Sequence, residues 1–131
     1  MNSRLILSFS SFLLATGIAL GAFGAHALED VLGPERLQTW ETAVSYQMWN
    51  SLGLFAIGIV SIILTINVSK EALGIFLGVI VFSGSLYVLC LTNVGWFGAI
   101  TPIGGTLMII GWIVLGVKLV KTPISFTKQK Q

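Results

Sequence analysis

Four long apolar runs, separated by short polar links, organise this chain: residues 5–28, 43–66, 72–91 and 102–120. A bilayer core of about 30 Å is crossed by roughly 20 apolar residues rising 1.5 Å each in a helix, and every run is long enough. Lipid offers no partner for a backbone N–H or C=O, so a spanning segment is a helix or a strand of a closed barrel. None of the runs alternates with period 2, which favours helices. The pattern predicts an all-α integral membrane protein: a multi-pass, antiparallel four-helix transmembrane bundle forming one domain over residues 1–131, with a basic tail at 121–131.

The links refine this reading. Residues 29–42 hold four of the five acids, Glu29, Asp30, Glu35 and Glu41, and are broken by Gly33-Pro34. Pro34 suits the first position of a helix, where its missing N–H costs nothing. Leu37 and Trp40, three apart, share a helix face suited to the membrane surface. A short interfacial helix is therefore expected between the first and second spans, either separate from the second span or continuous with it. Residues 67–71 read as a tight polar turn and residues 92–101 as an uncharged loop. Thr101-Pro102 reads as the start of the fourth helix, with Thr as cap and Pro in the first turn.

Charge adds an orientation. Arg4, Lys70, Lys118, Lys121, Lys128 and Lys130 fall on one side of the four spans, and Arg36 alone falls on the other. Basic residues collect in cytoplasmic loops, so both termini and the 67–71 turn are expected in the cytoplasm, in a cell membrane. Three spans would divide the basic residues less cleanly. Arg4, the first apolar run and Ala25-His26-Ala27 also imitate a cleavable signal, but that run exceeds the 7–15 residues usual for one, so it is expected to stay as a span.

Composition agrees. The chain is 55% hydrophobic and 9% charged, with a mean hydropathy of +0.94. Soluble domains carry roughly 25% charged residues. No basic stretch interleaved with aromatics points to nucleic acid. One cysteine, Cys90, excludes an intrachain disulfide and any multi-cysteine metal site. Trp40 and Trp96 fall near the outer boundary, as aromatic-belt residues do, while Trp49 and Trp112 lie deeper. The basic tail is suited to anionic lipid headgroups.

Small residues suggest where helices meet. Gly17 and Gly21 are four apart, Gly74 and Gly78 repeat that spacing, and Gly104-Gly105 opens the fourth run. Such rows let membrane helices approach closely, here within the bundle in preference to a dimer face.

Polar residues inside a membrane are costly and invite a functional reading. They gather toward the outer side: His26, the stripe Thr42, Tyr46 and Asn50 with Gln47 beside it, then Tyr87 and Thr101. Ser83 and Ser85 are nearby, with Asn93 just beyond the span. One reading is a ligand pocket open to the outer face. The other, favoured here, is a hydrogen-bond network that ties the helices together. His26, Glu29 and Asp30 stand at i, i+3 and i+4 and would share a face if the helix continued, but three ligands make a weak metal site. A lone histidine disfavours haem. Ser83-Gly84 lacks the preceding glycine of a nucleophile elbow. No acid falls inside a run, which speaks against paired carboxylates and against proton coupling. No cofactor, no metal and no enzymatic activity are expected.

Several segments carry a resemblance. Gly21-Ala22-Phe23-Gly24-Ala25-His26-Ala27-Leu28, Trp40-Glu41-Thr42-Ala43-Val44, Tyr46-Gln47-Met48, Ser83-Gly84-Ser85-Leu86-Tyr87, Thr101-Pro102-Ile103-Gly104-Gly105 and Gly111-Trp112 follow in order. Together they resemble the small membrane proteins grouped as domain of unknown function 423, with the eukaryotic transmembrane protein 256 group also similar. The resemblance covers nearly the whole chain. It implies a four-helix membrane protein, bacterial in its brevity, and no reaction. It also implies that relatives often have a second histidine where Asn50 stands and lysine at Glu29 and Asp30. Both departures weaken a role for paired imidazoles or metal. The expectation is a non-enzymatic membrane protein acting by packing or association, with itself or a larger membrane complex. The alternative is a binder or passage for a lipid or small molecule.

Overall fold

The computed structural model describes residues 1–123. Four helices account for most of them: α1 (Ser3–His26), α2 (Pro34–Ile63), α3 (Ser69–Thr92) and α4 (Trp96–Lys121). Each is long and apolar enough to cross a membrane, and no strand occurs among the described residues. The expected all-α four-helix bundle is what the chain forms.

Side chains and turns set the helix ends. Asn2 caps α1, its Oδ1 accepting the Leu5 N–H at 2.9 Å. Pro34 opens α2, where its ring fits the first turn. Asn67 Oδ1 accepts the Ser69 N–H at 3.0 Å and leads the chain into α3, an Asx-type turn. Asn93 closes α3 in the left-handed region, with φ of 56°.

One open boundary is decided and one differs from the expectation. The helix that begins at Pro34 is continuous with the second span, forming the first turns of α2, which runs unbroken for 30 residues. A helix of that length spans about 45 Å, more than the hydrocarbon core, so its charged first turns project beyond the bilayer. The fourth helix starts at Trp96, not at Pro102, which lies inside it. Proline is tolerated within membrane helices because neighbouring groups re-satisfy the freed carbonyl. The loop expected over residues 92–101 therefore shrinks to three linking residues, 93–95. Lys128 and Lys130, and with them most of the basic tail, lie outside the described residues.

Successive helices pack side by side, α1 on α2, α2 on α3 and α3 on α4. Helix α3 is the most buried of the four, and among the described residues α1 and α4 make no close approach. The main core joins Ile6 and Leu13 of α1, Leu54 and Ile57 of α2, Ile75 and Val79 of α3, and Met108 and Leu115 of α4. Outward faces are apolar: Phe12, Trp49, Ile103 and Ile113 are all well exposed, as lipid contact demands.

Glycines set the helix spacing. A Cβ on Gly104 would overlap the Phe82 backbone N and lie 2.7 Å from the Gly78 carbonyl; one on Gly78 would lie 2.8 Å from the Met108 N. The α3 and α4 backbones thus touch directly. Gly111, seven residues past Gly104, extends the seam against Ile75. On α1, Gly17 faces Met48, and Gly21 meets Val44 at 3.3 Å. Gly74 faces open space and Gly105 makes only ordinary contact with Phe82, so neither controls an interface.

Candidate functional site

The polar residues of the outer half separate into several locks between helices. Gln47 is the centre of the largest. It sits on the buried face of α2 at 4% exposure. Its Nε2 donates to the Leu13 carbonyl at 2.8 Å and to Thr16 Oγ1 at 3.0 Å, both on α1. Its Oε1 accepts the Tyr87 hydroxyl of α3 at 2.9 Å. Both amide hydrogens and the carbonyl oxygen are therefore engaged. Ser83 Oγ of α3 donates to the Ala43 carbonyl of α2 at 2.8 Å. One amide and three hydroxyls thus bind three helices together.

Trp40 extends this group. Its ring centre lies 4.7 Å from that of Tyr87, and its Nε1 donates to the Leu20 carbonyl at 2.9 Å. At 2% exposure it is buried and is no belt residue. The reason is Gly24: a Cβ there would lie 2.5 Å from Trp40 Nε1, so only glycine admits the indole against α1. Trp96 and Trp49 are 71% and 74% exposed.

The second lock joins α2 to α4. Asn50 Nδ2 donates to its own helix at the Tyr46 carbonyl, 2.8 Å away, and its Oδ1 accepts Trp112 Nε1 at 2.8 Å. Trp112 in turn lies across Gly53, where a Cβ would meet the ring at 2.5 Å. The third lock joins α3 to α4 through the Ser85 and Thr101 hydroxyls, 2.8 Å apart. Thr101 is therefore an interior contact of α4 and not its cap.

Three of the expected site residues stay outside these locks. Thr42 is exposed and donates to the Gln38 carbonyl of its own helix. The Tyr46 ring packs on Phe82 at 4.5 Å while remaining 47% exposed. His26 is exposed and ends α1. Because the helix stops there, Glu29 and Asp30 do not share a face with it. Among the described residues no group of three or more His, Cys, Asp or Glu side chains is placed around a common point for a metal ion.

Space beside Gln47 itself is scarce. The cavity beside Gln47, Tyr87 and Ser83 is about 180 Å³, below the roughly 300 Å³ at which small-molecule pockets begin. A second, of about 300 Å³, lies beside Trp40 against Gly21, Gly24 and Glu41. Two larger ones lie at the opposite end, where Met1, the α2–α3 link and Lys118 meet. One of about 420 Å³ is bordered by Asn2, Ser3, Ser61 and Asn67. Another of about 650 Å³ is bordered by Asn67, Ser69, Lys70, Glu71 and Lys118. There Lys118 Nζ binds Glu71 Oε1 at 2.9 Å. Glu71 thus lies within the first turn of α3, buried, and not in an exposed turn before it. The Glu71–Lys118 pair and the Arg36–Asn93 contact, with Nη2 at 2.8 Å from Oδ1, tie the two ends of the bundle. Neither pair has a sequence signal, since the partners are distant in the chain. Gly111 did have one: its spacing of seven from Gly104, with Met108 and Leu115 between and beyond, is a heptad-like buried row.

Comparison with known proteins agrees with this architecture. A family model described as "Protein of unknown function (DUF423)" matches residues 20–105, a stretch that contains Trp40, Gln47, Asn50, Ser83, Ser85, Tyr87 and Thr101 but not their partners Leu13, Thr16 and Trp112. A UPF0382 membrane protein of Staphylococcus saprophyticus is 49% identical over 88% of this chain and 94% of its own length. One from Staphylococcus epidermidis is 49% identical over 92% and 98%, and UPF0382 membrane protein YwdK of Bacillus subtilis is 44% identical over the same shares. No solved structure matches. With a family match across most of the chain and near-full-length relatives named as membrane proteins, the chain belongs to the DUF423 family of membrane proteins.

Proposed function

We propose that this is a non-enzymatic membrane protein that acts by association within the bilayer, with copies of itself or as part of a larger membrane complex. One observation carries the reading: the amide of Gln47 commits both its hydrogens and one of its oxygen's two lone pairs to Leu13, Thr16 and Tyr87. No donor is left for a substrate, and the cavity beside it, of about 180 Å³, is below the size of a small-molecule pocket. The polar constellation works as internal fastening, and the exposed apolar faces of α1 and α4 are the surfaces left for partners. The protein sits in the cytoplasmic membrane with both termini in the cytoplasm, as the one-sided placement of Arg4, Lys70, Lys118 and Lys121 supports.

Native mass spectrometry of the full chain, released gently from its own membrane, tests this. The expected result is a fixed oligomer or a complex with a second polypeptide. A monomer carrying a reproducible small-molecule adduct, lost in Tyr46→Phe/Gln47→Leu, would overturn it in favour of a binder or passage built on the outer cluster.

A further inference from the structure

The basic end of the bundle joins a wholly apolar groove to a wider cavity that also carries charged groups. Between α2 and α4 runs a groove of about 250 Å³ whose lining includes Gly53, Ala56, Val60, Trp112, Leu115 and Leu119, with no polar lining surface. It exists because α2 and α4 are joined through the side chain of Trp112 and their backbones nowhere come close. The Trp112 ring, laid over Gly53, closes it at its deep end. At its other end it reaches Ile66, which also borders the 650 Å³ cavity of mixed polar and apolar lining. That cavity presents Lys70 and Lys118 beside the hydroxyl of Ser69 and the amide of Asn67. Lys121, exposed, follows Lys118 one turn later on α4. Glu71 compensates one of these three cations, which leaves an excess of positive charge at the mouth.

We infer that this composite space is a binding site for one anionic phospholipid, its acyl chain in the α2–α4 groove and its phosphate at the mouth, drawn by Lys70 and Lys121, the cations that Glu71 leaves uncompensated. Charge complementarity selects the occupant. The groove lies at bilayer depth and accepts only hydrocarbon. The mouth lies where headgroups lie and carries Lys, a point-charge phosphate binder. A soluble phosphate compound would fill only the mouth, and a partner helix would leave the lysines unmatched. This site meets the outer polar cluster only at Trp112, which closes the groove and donates to Asn50, and is independent of the association reading.

The test uses full-length protein, stripped of lipid in neutral detergent and then supplied with phosphatidylglycerol or phosphatidylcholine of identical acyl chains. Ligand that binds only the folded state raises the unfolding midpoint. Phosphatidylglycerol should raise it by about 3–6 °C more than phosphatidylcholine. Lys70→Gln/Lys121→Gln changes two exposed residues and leaves the Glu71–Lys118 pair intact; it should abolish that difference. Ala56→Phe, which fills the groove from an exposed position, should weaken the response to phosphatidylglycerol at least tenfold in lipid concentration. An equal response of the wild type to both lipids would overturn the site. So would a lipid preference untouched by either variant, or a full response to glycerol phosphate alone, which has a headgroup and no chain.

Discussion

Gln47 shows what one side chain contributes when it lies among helices in lipid. Measured interhelical hydrogen bonds in membranes average about 0.6 kcal/mol, so three of them amount to roughly 2 kcal/mol. Gln47→Leu is expected to lower stability by about that amount in a denaturing-detergent titration. Tyr87→Phe removes one bond, keeps the ring against Trp40, and should cost about 0.5–1 kcal/mol. Because the two residues share a bond, the double variant should cost less than the two singles added. Simple addition would show that the Gln47–Tyr87 contact contributes nothing. The Glu71–Lys118 pair behaves differently. Its carboxylate is 7% exposed and its ammonium 35%, so removing the cation strands the more buried partner. Lys118→Met should cost about 2 kcal/mol, a figure reduced from the deep-core range because Lys118 reaches solvent. Glu71→Gln, which still offers an oxygen to Nζ, should cost less than about 1 kcal/mol. The reverse order would mean that the carboxylate is the dispensable member.

At the scale of the helices, the sequence patterns name the elements and stop short of their contacts. Hydropathy finds all four spans because burial in lipid is a property of each run by itself. Pairing is a property of two runs, and glycine spacing reveals it only where close approach leaves no alternative. Gly74 and Gly78 share one spacing motif, yet Gly78 lies against the Met108 backbone and Gly74 faces open space. A four-residue spacing marks a face and cannot say what covers it. Gly104→Ala is accordingly expected to destabilise the bundle by about 1–3 kcal/mol, since the obstructing atoms are backbone of α3 and α4 must move away. Gly74→Ala should be neutral or stabilising by up to about 1 kcal/mol, the helix-propensity gain of alanine over glycine. Thermal unfolding of the two variants side by side checks the seam, and equal effects would argue that α3 and α4 do not meet at Gly104. The candidate site was legible in the same partial way. Composition picks out His26, Tyr46, Gln47 and Asn50 alike as costly polar groups. Only the helix rotations decide that Gln47 faces inward to three partners, that Asn50 meets Trp112, and that His26 and much of Tyr46 face outward. The burial of Trp40 depends on the absence of a side chain at Gly24, 16 positions away on another helix. No local pattern carries that information.

The whole molecule has two chemically distinct ends, and that asymmetry is its most direct link to cellular placement. Arg4, Lys70, Lys118 and Lys121 collect where Met1, the α2–α3 link and the end of α4 meet, while Glu29, Asp30, Glu35 and Glu41 collect at the other end. Insertion holds basic loops in the cytoplasm and is far less sensitive to acids. Arg36, the one basic residue at the acidic end, hydrogen-bonds Asn93 and is outnumbered by the basic residues at the other end. Single cysteines resolve the orientation. Cys90 is buried with its Sγ against the Arg36 carbonyl at 3.2 Å, and Cys90→Ala gives a background without a thiol. A thiol introduced at Glu35, exposed at the start of α2, should react with a membrane-impermeant maleimide on intact cells. A thiol at Lys121 should react only after the membrane is permeabilised. The opposite pattern would place the basic end outside and remove the anionic leaflet surface from the lysines of the proposed lipid site. Labelling of both positions on intact cells would mean mixed insertion, for which six basic residues on one side of four spans leave no physical reason.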